Sequence, residues 1–437
     1  MALRSAAGAR LARPSGPGDA GGPARRLPLL IAVAAWLAAL GAAGLLVHAS
    51  ITSPQHTRLL DLSVYRDGGH TMLHGGALYA MQARQHLLFT YPPVAAILAA
   101  PLALVSWPVA QLLWIPVVYL PLAVTVRYGF APLLARARQY APAVLAAAFA
   151  LCAYLLPVRQ EMRYGQVDIL LVALCVLDCA APRARWPRGV LIGLATAIKL
   201  VPGVFIIYLL ITGRRRAAGV AAATFAGLTG LAWLVAPRDS AAYWTSAIFN
   251  SRRLGPNAQA ANQALRGMIL RVFAPHPAPL ALWIGAAAIV AAAGFLAARQ
   301  AHRRGHEMAG IAITGLLAAL LSPVAWVHHF CWVALALGVI VGDGRSWRRV
   351  AAAIAAGVLF ASTLPLWAKY LLLSRSVAPL PGRFLEDTFG LAAIALAVIL
   401  ARIASRSGAA AAGIMPGPQA APPSAAAQDK VLASSRE

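Results

Sequence analysis

The chain has 437 residues, of which 60% are hydrophobic and 12% charged, and its mean hydropathy is +0.70. These values exclude an ordinary soluble domain and indicate a polytopic membrane protein, with apolar runs recurring from Leu27 almost to Arg402. The net charge of +25 does not indicate a nucleic-acid-binding face, because the arginines form short clusters between apolar runs. Alternating ten-residue patterns are lacking, so we expect an all-α polytopic membrane protein.

Six clusters of arginines separate the apolar runs, and the positive-inside rule assigns all six to the cytoplasm. They fall within residues 4–26, 127–138, 183–188, 214–216, 299–304 and 345–349. With these clusters inside, both ends of the chain are expected in the cytoplasm. The connection from Arg159 to Asp168 and the Ser322 to His329 turn are expected on the outer face, so the sequence predicts a plasma (inner) membrane protein with an extracytoplasmic site.

The predicted crossings follow from this orientation in chain order. Counting broken and re-entrant pieces, we predict about 10–13 membrane helices. Two interruptions are expected, one near Lys199 and Pro202 and one at Ser322-Pro323. The predicted segments are Leu27 to His48, a half-helix and a crossing between Tyr91 and Val126, Ala143 to Leu156, Gln166 to Ala181, Gly189 to Thr212, Ala217 to Val235, Leu280 to Ala298, Met308 to Leu321, Trp326 to Val341, Val350 to Trp367 and Phe389 to Leu400.

The two ends of the chain differ from the rest in composition. Residues 1–26 and 405–437 are rich in Ala, Gly, Pro and Ser, and we predict disordered cytoplasmic tails there. Residues 27–404 then form one transmembrane domain, with outer loops at about 49–91 and 237–279.

The first outer loop carries two of the thirteen carboxylates, Asp61 and Asp67. A carboxylate at a lipid–water boundary can act as a general base towards a hydroxyl, and either residue could serve. The alternative is that one or both cap a short helix or pair with Arg58, Arg66 or Arg84.

Three ionisable residues fall at the two predicted breaks. His328 and His329 follow Ser322-Pro323, where side chains at membrane depth usually face a cavity, and they are candidates for catalysis or phosphate binding. The alternative is a histidine pair satisfied by backbone carbonyls. Lys199 could meet an anionic group or extend to the surface. We predict no metal site, because adjacent histidines on a helix diverge by about 100° and no H-E-x-x-H spacing exists.

Within the second outer loop, the run from Asn250 to Gly267 offers amides and guanidiniums that suit sugar hydroxyls and phosphates, or it is simply a solvated loop.

Seven motifs in the sequence resemble those of the polyprenol-phosphate-mannose-dependent α-(1→2)-mannosyltransferases of the GT-C superfamily. They occur in order over roughly Leu27 to Arg402. They are D-L-x-V-Y-x-D-G (Asp61 to Gly68), G-x-x-L-Y (Gly75 to Tyr79), T-Y-P-P (Thr90 to Pro93), R-x-G-Q-V (Arg163 to Val167), G-x-x-x-x-x-K-L-x-P (Gly193 to Pro202), N-Q-x-L-R-G (Asn262 to Gly267) and S-P-x-x-W-x-H-H (Ser322 to His329).

The resemblance implies a GT-C glycosyltransferase fold and an inverting enzyme that moves mannose from polyprenyl-phosphate-mannose to a mannosylated lipid, such as a phosphatidylinositol mannoside, in α-1,2 linkage. It implies Asp61 as the base, with Asp67 as the second choice. The implied partners are the donor, the glycolipid acceptor and membrane lipids, with no cofactor and no nucleic acid. His328 is assigned to catalysis; His329, Lys199 and Arg266 to the leaving phosphate; and Asn262, Gln263, Arg163, Gln166, Tyr65 and Tyr91 to substrate binding.

The sequence departs from the family pattern at two positions. Ala264 stands where a small hydroxyl residue is expected, and Asp168 stands where an Asn is expected after G-Q-V. Three alternatives stay open: a GT-C transferase using another polyprenyl-phosphate sugar such as arabinose, a secondary transporter, and a non-catalytic lipid-binding protein. A transporter should show an inverted repeat, and no such symmetry is found.

Overall fold

A computed structural model describes residues 23–54, 57–274, 276–375 and 378–412. Within them the regular elements are α-helices and short 3₁₀ turns, with two isolated β-bridges. The all-α fold class is therefore confirmed. The first eight helices are α1 (Pro23–Ile51), α2 (Leu60–Leu73), α3 (Pro93–Ala103), α4 (Trp107–Gly129), α5 (Ala131–Ala137), α6 (Ala141–Ala153), α7 (Leu156–Tyr164) and α8 (Asp168–Ala180).

Twelve further helices complete the described chain. They are α9 (Val190–Ile198), α10 (Val204–Ile211), α11 (Arg215–Val235), α12 (Pro237–Thr245), α13 (Leu265–Phe273), α14 (Leu280–Arg303), α15 (Glu307–Leu321), α16 (Trp332–Val341), α17 (Trp347–Ala361), α18 (Leu364–Leu373), α19 (Pro379–Glu386) and α20 (Thr388–Ala412).

The chain is a multi-pass membrane protein. Five helices are long and apolar enough to cross a bilayer, and two bent pairs raise that number to seven. Four shorter apolar helices bring the described chain within the expected range of segments. Exposed leucines are frequent on the outermost helices, and the most apolar stretch of α14 has no buried residue, as lipid-facing helices require.

Both predicted interruptions are present. The Gly189 to Thr212 segment breaks at Lys199, whose φ of −150° and ψ of 127° end α9, before a 3₁₀ turn at Val201–Gly203 leads into α10. Pro202 has no N–H to continue the helical bonding. The second break lies between α15 and a 3₁₀ turn at Val327–Cys331.

The helices at the two ends extend into the predicted tails. α1 begins at Pro23, where a proline in the first turn has the backbone angle that a helix needs. α20 continues to Ala412 through an alanine run of high helix propensity. The rest of both tails lies outside the described residues. The outer connection between Arg159 and Asp168 also differs from expectation, because its first half belongs to α7.

The core surrounds α15, in which every residue from Ala309 to Leu320 is buried. Helices α4, α7, α8 and α16 contribute to the same apolar cluster. Close helix approach at the Lys199 break depends on Gly193, since a Cβ there would lie 2.5 Å from the Ala221 carbonyl oxygen of α11. At one end of the bundle, α2, the α7–α8 turn, the α9–α10 break and the Val327–Cys331 turn lie close together.

The predicted orientation can be tested by labelling. Ala258 lies exposed in the second outer loop, and Arg304 lies exposed after α14. In a Cys179→Ala background, we expect Ala258→Cys to react with an impermeant thiol reagent in intact cells, and Arg304→Cys to react only after permeabilisation. The reverse pattern would contradict the assignment of the arginine clusters to the cytoplasm.

Candidate active site

The centre of the site is a buried ion pair across two membrane segments. The Lys199 ammonium donates to both carboxylate oxygens of Asp168 at 2.8 Å, and its third contact is His329 Nε2 at 3.0 Å. Both charged side chains are 11% exposed. Since Lys199 is a donor only, His329 Nε2 is the acceptor, and the neutral ring carries its proton on Nδ1. Lys199 therefore fixes the tautomer of His329.

His328 lies beside this pair. Its Nε2 is 4.0 Å from an Asp168 oxygen, and its ring meets that of His329 edge to face at 4.7 Å between centroids. Neither ring nitrogen of His328 has a hydrogen-bond partner among the described residues, nor does His329 Nδ1. Unsatisfied buried nitrogens are rare in folded proteins, and these three are available to a substrate.

Asp61 reaches the site from the first turn of α2. Gln166 hydrogen-bonds to its carboxylate, and Lys199 and Asp168 are close enough to influence it. Burial raises the pKa of Asp61 to about 6, while the Gln166 bond and the Lys199 charge oppose that shift. A carboxylate with a pKa near neutrality suits general base catalysis.

Two tyrosines orient the Gln166 amide. The hydroxyl of Tyr65 donates to Gln166 Oε1 at 3.0 Å, and that of Tyr91 does so at 3.5 Å. With its oxygen occupied, the amide presents its NH₂ group to Asp61. The Tyr91 ring also lies 5.7 Å from the Lys199 ammonium, within the range of a cation–π contact. Gln166, Tyr65 and Tyr91 thus belong to the site.

Gly165 explains why the R-x-G-Q-V motif needs a glycine. It ends α7 at φ +75°, and a Cβ there would lie 2.5 Å from Cβ of Leu62, next to Asp61. The backbone N–H of Leu59 also donates to the Arg163 carbonyl at 3.2 Å. The turn is therefore docked against the start of α2, which brings Gln166 to Asp61.

Asp67 is not part of this group. Its pKa is raised by burial, and the nearby charges that oppose the shift are those of Arg66, Arg84 and His70. Six residues of helix turn it about 120° away from Asp61. Among the described residues Asp67 forms no ion pair, and Arg66 donates instead to the carbonyls of Leu102 and Val105.

Asn262 and Gln263, which the sequence assigned to substrate binding, make contacts within the protein. Both are fully buried, and their amides are bonded to backbone groups. Asn262 Oδ1 accepts from the N–H of Ala325 at 2.9 Å, and Gln263 Oε1 accepts from that of Gly390 at 3.0 Å. They attach the second outer loop to the turn before His328 and to α20. Their physical role is to hold the loop, because no amide atom is left for a sugar.

Arg163 and Arg266 lie apart from the ion pair. The Arg163 side chain is exposed, and Arg163 contacts the start of α2 through its backbone carbonyl, which accepts from the N–H of Leu59. Arg266 donates to Ser251 Oγ at 3.2 Å and stacks over Trp283 at 5.1 Å. Neither arginine touches the Asp168–Lys199 pair in the described structure.

Asp168, His328 and His329 form a cluster that local spacing did not reveal. One ligand atom of each lies within 4.8 Å of the others, a geometry that could hold a metal ion. The Lys199 ammonium, however, already contacts both Asp168 oxygens and His329 Nε2. The Lys199 ammonium thus occupies the lone pair of His329 Nε2 and lies against both Asp168 oxygens, where a metal ion would compete with it.

Two acidic residues of this site, Asp168 and Glu161, were not among the predicted site residues. The sequence marked Asp168 as a departure from the family pattern, although a lysine at membrane depth needs a counter-charge and few carboxylates are available. Glu161 is fully buried next to it and accepts from the N–H of Ile169 at 3.1 Å and the thiol of Cys331 at 3.4 Å. It ties the start of α8 to the histidine turn.

Comparison with known proteins decides the family. The model of glycosyltransferase family 87 matches residues 89–323, more than half of the chain. The chain belongs to glycosyltransferase family 87. This family 87 protein is therefore a membrane glycosyltransferase, and the resemblance found in its motifs is confirmed.

Two relatives illustrate the similarity. The polyprenol-phosphate-mannose-dependent alpha-(1-2)-phosphatidylinositol mannoside mannosyltransferase of Mycobacterium tuberculosis is 34% identical over 328 residues, covering 70% of this chain and 75% of the relative. A polyprenol-phosphate-mannose-dependent alpha-(1-2)-phosphatidylinositol pentamannoside mannosyltransferase of Mycolicibacterium smegmatis is 36% identical over 291 residues, covering 64% and 68%. No solved structure matches the family 87 chain.

Proposed function

We propose that this glycosyltransferase moves mannose from polyprenyl-phosphate-mannose to a hydroxyl of a mannosylated lipid, such as a phosphatidylinositol mannoside, forming an α-1,2 linkage with inversion on the extracytoplasmic face. The names of the relatives support the donor and the acceptor class. The observation that carries the mechanism is the position of Asp61, which Gln166 hydrogen-bonds and which lies close enough to the Asp168–Lys199 pair to be influenced by both charges.

Asp61 acts as the general base in this proposal. The acceptor hydroxyl attacks the anomeric carbon of mannose, the bond from that carbon to the phosphate oxygen breaks, and the hydroxyl proton passes to the Asp61 carboxylate. Gln166 holds the carboxylate at the correct angle, because its own orientation is fixed by Tyr65 and Tyr91. Polyprenyl phosphate leaves with the electron pair of the broken bond.

The departing phosphate is stabilised by donors already in place. The proton on His329 Nδ1 and a ring N–H of His328 are unpartnered donors beside the ion pair. Donors fixed before the reaction lower the energy of a developing negative charge, typically by about 2.7–4 kcal/mol for each donor. Lys199 contributes by holding the tautomer of His329 and by offsetting the charge of Asp168.

The proposed function is tested by direct assay. Purified protein in lipid nanodiscs would receive radiolabelled polyprenyl-phosphate-mannose and phosphatidylinositol mannosides, with polyprenyl-phosphate-arabinose as the competing donor. We expect labelled glycolipid from the mannose donor only, with the new linkage cleaved by an α-1,2-mannosidase. Transfer from the arabinose donor alone would overturn the sugar assignment, and no transfer from either would overturn the function.

Turnover should depend on pH through Asp61. A base must be ionised to accept a proton, so kcat/KM is expected to fall as the pH drops below about 6, the value to which burial raises the pKa of Asp61. In the Gln166→Met variant the hydrogen bond that lowers the pKa of Asp61 is lost. The fall of kcat/KM on the acidic side of its pH profile should therefore move to higher pH. A pH profile of kcat/KM for both proteins measures the shift. If kcat/KM of both proteins falls at the same pH, a group other than Asp61 controls the pH dependence.

Activity is expected to survive chelation. Lys199 supplies positive charge at the site and uses the Asp168 and His329 atoms that a metal would need. Turnover measured with and without EDTA should therefore agree within about twofold, a difference of only ~0.4 kcal/mol. Loss of activity with EDTA and its return with manganese would require Asp168, His328 and His329 to be metal ligands.

A further inference from the structure

A second cavity lies at the far end of the helices that carry the ion pair. Its volume is about 550 Å³, and it lies between the end of α8, the end of α10 and the start of α11. Asp168 begins α8 and Asp178 lies ten residues further along, so the two sites are about 15 Å apart along that helix. The cavity is separate from the proposed catalytic centre.

Four arginines line this cavity: Arg188, Arg214, Arg215 and Arg216. Two of them are committed to the fold. Arg188 donates to the carbonyls of Leu177 and Asp178 at 3.1 and 2.7 Å, and Arg214 pairs with Glu307 at 2.8 Å.

Arg215 and Arg216 differ from the other two. Both are exposed, and neither forms an ion pair with any described residue. The one carboxylate that lines the cavity, Asp178, accepts from the backbone of Gly189 and Ile192. Its charge is thus engaged, and two guanidiniums stay available to a ligand.

The start of α11 adds a second source of positive potential. This helix has 21 residues, and its first N–H to reach a backbone carbonyl is that of Ala218, which bonds to Arg214 at 3.0 Å. The N–H groups of residues 215–217 have no partner within the helix. Such groups, together with the positive end of the helix dipole, bind anions. Guanidiniums and free N–H groups therefore converge on one cavity.

The cavity lies at the level of lipid headgroups. α11 is a candidate membrane span that begins at Arg215, and Trp186 lies nearby, half-buried, with its indole N–H bonded to Asp178 at 3.1 Å. Tryptophan is enriched at membrane interfaces. Leu209 and Val220 form an apolar part of the wall, and Leu210 is 51% exposed beside it. A ligand here would meet arginines at one end and lipid at the other.

We propose that this cavity binds the phosphate of an anionic membrane phospholipid, held by Arg215, Arg216 and the free N–H groups at the start of α11. Basic pockets between transmembrane helices bind such headgroups in general. A free phosphate ion would fill only a small part of the cavity and leave its apolar wall empty. The bound lipid would fix the end of α8, which begins at Asp168, and the end of α10, which follows the break at Lys199.

Cys179 provides a direct readout, because it lines the cavity and is half-buried, whereas the other three cysteines are buried. The full-length protein in neutral detergent would be treated with a maleimide while phosphatidylglycerol, phosphatidylcholine or inorganic phosphate is titrated. We expect phosphatidylglycerol to slow alkylation of Cys179, and the other two to have little effect. In parallel, phosphatidylglycerol retained after detergent exchange would be counted by mass spectrometry.

Two matched variants complete the test. Arg215→Gln/Arg216→Gln removes two charges inside the cavity, and Arg303→Gln/Arg304→Gln removes two adjacent exposed charges outside it. We expect the first to weaken phosphatidylglycerol binding about 30-fold and the second by less than about threefold. A single symmetric peak in size-exclusion chromatography of each detergent-solubilised variant serves as the folding control.

The proposal fails on any of three results. Equal protection by phosphatidylcholine would indicate a general lipid contact, and protection by inorganic phosphate alone would indicate a free-anion site. Unchanged retention of phosphatidylglycerol in the Arg215→Gln/Arg216→Gln variant would remove the arginines from the site. None of these results depends on the identity of the transferred sugar.

Discussion

Asp61→Asn is expected to lower turnover by about 10²- to 10⁴-fold while leaving the protein folded and able to bind its donor. The amide keeps the shape of the side chain and can still bond to Gln166, but it cannot accept the proton of the acceptor hydroxyl. Burial that raises the pKa of this carboxyl to about 6 makes it a stronger base than an exposed aspartate. Transfer rate and donor affinity, measured on the same purified variant, separate chemistry from binding.

Asp67→Asn is the matched control for this experiment. It makes the same chemical change on the same helix, at a carboxylate whose neighbours are Arg66, Arg84 and His70. We expect a loss of less than about tenfold, or 1.4 kcal/mol in activation free energy. Near-normal turnover in Asp61→Asn, or a full loss in Asp67→Asn alone, would contradict the assignment of the base.

Most of the fold could be predicted from the sequence because the membrane restricts the choices. A chain in lipid must satisfy its backbone groups internally, so apolar runs are helices, and the arginine clusters mark where they end. The breaks at Lys199 and Ser322-Pro323 were visible through proline and an ionisable residue inside apolar runs. α7 was not visible, because its sequence, L-P-V-R-Q-E-M-R-Y, is too polar to read as a membrane segment.

The site could be predicted only in part. The motifs identified Asp61, Gln166, Lys199 and the histidines, which the structure brings together. The partner of Lys199 could not be found by spacing, because Asp168 is 31 residues away in sequence and meets it only when α8 packs beside the broken α9–α10 segment.

Asn262 and Gln263 illustrate what the sequence leaves open. An amide in a polar loop looks the same in the sequence whether it binds a sugar or the backbone. Only the positions of Ala325 and Gly390, which are distant in the chain, show that these two amides are already bonded. Residues in a functional motif can therefore serve the loop that carries the site rather than the ligand.

Asp168 and Lys199 should be strongly coupled in stability. Removing one member of a buried ion pair leaves an uncompensated charge, so Lys199→Met or Asp168→Asn alone is expected to destabilise the protein by about 3–5 kcal/mol. The Lys199→Met/Asp168→Asn double variant has no unpaired buried charge here. Its loss of stability should therefore be much smaller than the sum of the losses in the two single variants. The free energies of unfolding of the three purified variants in detergent give the coupling between Asp168 and Lys199. If the double variant lost as much stability as the two single variants together, the two residues would not interact directly.

Turnover in the double variant separates a structural lysine from a functional one. Lys199 donates to His329 Nε2 and thereby keeps the proton on Nδ1, where the leaving phosphate is proposed to lie. Methionine cannot hold that tautomer, so we expect the double variant to regain stability but to remain about 10²- to 10³-fold slower than the natural protein, the usual cost of losing one donor to a developing anion. Full recovery of turnover would mean that Lys199 serves only to neutralise Asp168, and His328 would then be the donor to examine next.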